Sequence, residues 1–66
     1  MMTTVDARGL ACPQPVIRTR KALQQAEHVV TLVDNETAVT NVSRMAEKSG
    51  WSVNVAAEGD DFRLEM

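Results

Sequence analysis

The sequence predicts a two-layer α/β sandwich of order β-α-β-α-β-β, and three observations carry that expectation. The chain has 66 residues, room for a single domain over 1–66 and near the lower limit at which an apolar core folds a chain without staples. Two segments repeat apolar residues at helical spacing, and four shorter ones alternate or run apolar at strand length. Glycine, proline and Asp-Asn punctuation separates them, with no linker, internal repeat or low-complexity stretch.

Thr3-Thr4-Val5-Asp6 is a short strand that stops at the Arg8-Gly9 turn. The first helix runs from Pro13 to about Ala26. Val16, Thr19, Leu23 and Ala26, with Ala22 beside them, form one narrow stripe, and Gln14, Arg18, Lys21 and Gln25 lie opposite. Ile17 falls roughly 100° from Val16, off the stripe and near the cysteine, which makes it a candidate docking residue. Proline suits the first helical position, so Cys12 reads as the N-cap and Pro13 as the first helical residue.

His28 to Val33 is a β-branched, apolar run and the central strand, closed by Asp34-Asn35, a helix-start pair. The second helix spans about Glu36 to Ser49, with Ala38, Val39, Val42, Met45 and Ala46 on one face. Gly50 stands at its C′ position, and Trp51 follows as a hydrophobic clasp. Ser52 to Ala57 alternates with Val53 and Val55 on one face, Asp61 to Glu65 alternates with Phe62 and Leu64, and Glu58-Gly59-Asp60 turns between them. A strand, a crossover helix and a strand give a right-handed parallel pair, so both helices cover one face of a mixed four-stranded sheet. The other face has no cover, and alternate residues such as those flanking Val30 and Leu32 are left for water or a partner.

Cys12 is the single cysteine and His28 the single histidine, so no internal disulfide, metal site or cofactor is expected. No apolar run reaches membrane-spanning length and the first residues lack a secretion-signal layout, which points to a cytoplasmic protein with no membrane partner. The net charge of -2 is unevenly spread. Residues 1–25 set Arg8, Arg18, Arg20 and Lys21 against Asp6, whereas the remainder sets eight acids against Arg44, Lys48 and Arg63. The cationic part coincides with the cysteine segment. It favours a thiolate and anionic partners, while the acidity elsewhere argues against broad nucleic-acid binding. Arg8, Arg18, Arg20 and Lys21, with Ile17, are the candidate partner- or anion-binding residues.

The run Asp6-Ala7-Arg8-Gly9-Leu10-Ala11-Cys12-Pro13-Gln14-Pro15 is the segment suited to chemistry. A helix N-terminus, nearby arginines and an exposed loop position push the same way, toward a reactive thiolate. Pro13 and Pro15 stiffen the site and remove two of the first three helical N–H groups, leaving those of Gln14 and Val16 nearest the sulfur. The competing reading of Cys12 is a small buried hydrophobe, and composition and spacing alone leave both open. Asp6 reads as a turn residue that accepts N–H bonds, and His28 as a strand-edge residue rather than a base. Met45 reads as core, whereas Met1, Met2 and Met66 are terminal and carry no signal.

The pattern Asp6-x-x-Gly9-Leu10-x-Cys12-Pro13-x-Pro15 resembles the signature of the TusA/SirA-like sulfur-carrier proteins, a sulfurtransferase family whose small domain would span essentially this whole chain. Val33-Asp34-Asn35-Glu36 and Asp61-Phe62-Arg63-Leu64 most resemble its YedF-like branch, linked to selenium metabolism. The resemblance implies that Cys12 accepts a sulfane sulfur as a persulfide from a cysteine desulfurase or related donor and passes it to an acceptor protein. Pro13 and Pro15 would shape that site, and Gly9 and Leu10 its loop. Asn35 stands where the tRNA-thiolating members tend to have proline, a departure that speaks against a 2-thiouridine role and leaves the implied carrier chemistry untouched. YedF-like chains often continue into a second domain, so this one is read as a stand-alone form or an excised domain. Two other functions compete. One is a non-catalytic module that docks protein or RNA on the open sheet face or on Arg18, Arg20 and Lys21, although Trp51 and Phe62 have core explanations and leave no stacking platform. The other is a redox sensor, which would need a second molecule to pair with Cys12.

Overall fold

A computed structural model describes residues 2–11 and 13–66, and within them six elements follow the expected order: β1 (Met2–Asp6), α1 (Gln14–Leu23), β2 (His28–Val33), α2 (Glu36–Lys48), β3 (Asn54–Glu58) and β4 (Asp61–Glu65). The sheet order is β1-β2-β4-β3. β1 and β2 are parallel, β4 is antiparallel to both its neighbours, and a two-residue turn links β3 to β4. The apolar run of β2 suits an inner strand, and β2 lies between β1 and β4.

α1 and α2 pack against each other, α1 over β1 and β2 and α2 over β4. α1 buries Pro15, Thr19 and Leu23; α2 buries Ala38, Val42 and Ala46. Beneath them lie Val29, Val33 and Leu64, each without solvent exposure. Removing one such side chain from water contributes about 1.5–3 kcal/mol. Thr19 and Thr31 are also fully buried and share a 3.0 Å hydrogen bond, which fixes α1 over β2 without leaving a polar atom unpaired.

The sequence places the neighbours of Val30 and Leu32 on the open face; the structure reverses this. Val29, Thr31 and Val33 face the helices, and Val30 and Leu32 occupy the open face in rows with Thr4, Glu65 and Asn54, and with Asp6, Arg63 and Ala56. β2 is apolar on both sides, so its periodicity could not tell them apart. Arg63 lies within ion-pair range of Glu65 (3.1 Å) and Glu58 (3.9 Å), giving this face a charged lattice compatible with water.

Several element ends differ from the expected bounds. β1 begins at Met2, α1 ends at Leu23 as Gln24 and Gln25 close a tighter turn, and β3 begins at Asn54. Met66, set aside above as terminal, is a core residue held to Val29 by reciprocal backbone hydrogen bonds. Val55 stands on the helix side of β3 yet is 48% exposed, because no helix covers that edge strand.

The ends of α2 follow the sequence signals closely. Asn35 caps it by accepting the Ala38 N–H at 2.8 Å. At the other end Gly50, with φ of 90°, donates to Glu47 and Trp51 donates to Ala46, the paired bonds of a Schellman motif. Trp51 and Phe62 both pack against the core.

Candidate functional site

The chain leaves β1 at Asp6 and reaches α1 through a loop at the carboxyl end of the parallel β1-β2 pair. Both helix N-termini lie at this end by topology, because each helix follows one of those strands. Cys12 lies outside the described residues; the segments on either side of it are well anchored. Ala7 is buried and continues the ladder by donating to the Leu32 carbonyl at 2.8 Å. Gly9 takes φ of 78°, a left-handed conformation that only glycine adopts without strain. Its N–H is received at 2.7 Å by the carboxylate of Asp34, whose other oxygen accepts from the Asn35 amide at 3.0 Å. Leu10 is half-buried against the core.

Asp34 is the site residue that sequence reasoning missed. Its place before Asn35 marks it only as a helix-start residue. Its second task, holding Gly9 from 25 positions away, becomes visible once β1 and β2 pair in register. The Gly9 N–H, then the Asn35 amide, hold its carboxyl below the usual carboxylate range.

Asp6 accepts N–H bonds as expected, from the backbone of Arg8 at 3.2 Å and from its guanidinium at 2.9 and 2.8 Å. These bonds lower the Asp6 pKa to about 2. The same guanidinium reaches Asp61 at 3.3 Å. Arg8 is therefore not the free anion-binding cation that composition suggests. Two carboxylates hold it, and with Asp34 beside them the described surroundings of this loop are richer in acid than in base. Of the cations that the sequence sets in the cysteine segment, Arg8 is thus already paired with carboxylates.

Beyond the cysteine, the structure starts the helix one residue late. Pro13 is the N-cap, Gln14 the first helical residue, and Pro15 sits in the first turn. The Gln14 N–H, expected as one of the two helical donors nearest the sulfur, is taken by the Ala11 carbonyl at 3.0 Å. Pro13 is exposed and Pro15 fully buried, so the two prolines split their work between the loop surface and the core. Ile17 is 52% exposed, and Arg18, Arg20 and Lys21 are exposed along α1. No cluster of metal-ligating side chains occurs among the described residues.

This chain is similar to known proteins in both sequence and fold. The family model described as Sulfurtransferase TusA matches residues 3–66. The chain belongs to the TusA family. It is 36% identical to a proposed sulfur carrier of Methanocaldococcus jannaschii, across 96% of this chain and 89% of that one. It is 34% identical to another of Archaeoglobus fulgidus, across 96% and 92%. The crystal structure of a SirA-like protein from Desulfitobacterium hafniense superposes with a TM-score of 0.86 at 34% identity, covering 98% of this chain and 93% of that one. The TusA-family fold thus extends over the whole α+β sandwich. In this family member no described helix is long and apolar enough to cross a membrane.

Proposed function

We propose that this protein is a sulfur carrier that holds sulfane sulfur as a persulfide on Cys12 and relays it between a donor protein of the cysteine-desulfurase kind and an acceptor protein. The observation that carries this reading is membership of the TusA family across residues 3–66, with the single cysteine placed between the Gly9 loop and the Pro13 cap. The Cys12 thiolate attacks the outer sulfur of the donor persulfide; the donor S–S bond breaks and the donor leaves as a thiolate. An acceptor thiolate then attacks the outer sulfur on Cys12, which returns as a thiolate. Each step exchanges one S–S bond for another, so no oxidant is consumed.

Such a relay asks for a loop held in shape and a surface on which larger proteins dock. The Asp34–Gly9 and Asp6–Arg8–Asp61 contacts supply the first. Ile17, Arg18, Arg20 and Lys21 on α1 supply the second, without Arg8. RNA docking finds less support, because the only two aromatic residues, Trp51 and Phe62, are both packed on the core.

Incubation with a cysteine desulfurase and cysteine, followed by intact mass measurement, is expected to show a gain of one sulfur, ~32 Da, that reductant removes. Cys12→Ser is expected to show none. Equal behaviour of the two proteins would overturn the proposal.

A further inference from the structure

β1 is an edge strand. It pairs with β2 alone, and its other side is open. Ala7 directs its N–H to Leu32, and strand alternation then turns the backbone groups of Thr3 and Val5 toward β2 and those of Thr4 and Asp6 outward. No proline or lysine lies within Met2–Asp6, and its one charged residue, Asp6, stands at the end of the strand. Beside this edge runs a groove of about 350 Å³ whose floor is Thr3 to Asp6 and whose wall is Arg18, Lys21, Ala22 and Gln25 of α1. The Arg18 and Lys21 side chains make no ion pair or hydrogen bond among the described residues, while the groove's one acid, Asp6, is already held by Arg8.

We infer that this groove takes an extended acidic segment of a partner protein, added as a fifth strand along β1, with Arg18 and Lys21 receiving its acids. A strand laid there turns every second side chain toward α1, on the side of Thr3 and Val5, and the rest toward the open face beside Thr4 and Asp6. Acids are therefore favoured at alternate positions, facing the two cations. Residues opposite Asp6 are apolar or neutral. Main-chain bonds supply affinity and the cations select the sequence. The inference rests on the reading of α1 as a partner-facing surface and does not depend on chemistry at Cys12.

The test is a titration of the whole protein at low salt with an amidated peptide of alternating glutamate and valine, followed by NMR and amide hydrogen exchange. The Thr4 and Asp6 amides are expected to gain protection while those of Thr3 and Val5, already bonded, change little. Replacing glutamate by lysine in the peptide is expected to abolish binding. Arg18→Glu with Lys21→Glu, both at exposed positions, is expected to weaken it at least about threefold. Uniform protection along β1, equal binding of the lysine peptide, or unchanged affinity in the double variant would overturn the proposal. So would protection of Thr4 and Asp6 that grows with protein concentration in the absence of peptide, which would make the occupant a second copy of this chain. Persulfide loading without peptide is a separate readout. It persists if only the edge proposal fails, and is absent if sulfur relay fails.

Discussion

Replacing Thr19 by valine should cost more than replacing its hydrogen-bond partner Thr31, although the two hydroxyls share a single 3.0 Å contact in which both are fully buried. Valine keeps the shape of threonine, so packing changes little and the effect isolates the hydroxyl. In Thr19→Val the Thr31 hydroxyl is stranded on an inner strand whose backbone is paired to β1 and β4, and it finds no free carbonyl nearby. A buried hydroxyl left unpaired costs about 1–3 kcal/mol. In Thr31→Val the Thr19 hydroxyl can turn to the Pro15 carbonyl one helical turn back, which holds the cost to about 1 kcal/mol or less. The double valine variant leaves no orphan and should return to within about 0.5 kcal/mol of the parent. A chain of this size has a total stability of about 3–10 kcal/mol, so the larger single effect is a sizeable fraction of it. Urea unfolding, followed by Trp51 fluorescence and far-UV circular dichroism, reads it out. With a slope of about 1 kcal/mol/M, a loss of 2 kcal/mol moves the midpoint by about 2 M. Equal costs for the two single variants, or a double variant whose loss equals their sum, would refute the reasoning.

Two further outcomes concern the cysteine loop. Gly9→Ala meets no atom within 4 Å of the added methyl, so its cost comes from the left-handed backbone alone, about 1–2 kcal/mol by urea unfolding; a neutral result would show that the loop relaxes. Acid titration reports the latches. Asp6 and Asp34 are both held below their ordinary values, so what they contribute is complete above the unfolded-state value of about 3.9 and is lost as pH falls through the folded values, for Asp6 about 2. The Gly9 amide shift should accordingly titrate below pH 3.9 and lose that inflection in Asp34→Asn, whereas an inflection at or above the ordinary value would dismiss the Asp34–Gly9 contact.

What the sequence disclosed, and what it withheld, divides along physical lines. Local signals were legible: Asn35 as a cap, Gly50 with Trp51 as a helix stop, and the β3-β4 hairpin all depend on residues a few positions apart, where sequence spacing is spatial distance. The stripe on α1 was legible because one face of that helix is polar. β2 was not, since both of its faces are apolar and period 2 then carries no information about which one meets the helices. Arg8 shows the other limit. A count of cations assigns it to an electropositive patch, but a charge acts through its nearest partners. Asp61, 53 positions away, is brought to it by β4 lying next to β2. Asp34 was hidden in the same way, as a local cap-region residue with a long-range bond to Gly9. Both contacts cross from the cysteine loop to later parts of the chain. The loop from Asp6 to Leu10 is therefore held by contacts that strand pairing brings together, in addition to its own Gly9 turn and Asp6–Arg8 bonds. Substitutions at Asp34 or Asp61, outside the Asp6–Pro15 segment, should reach the loop as directly as changes within it.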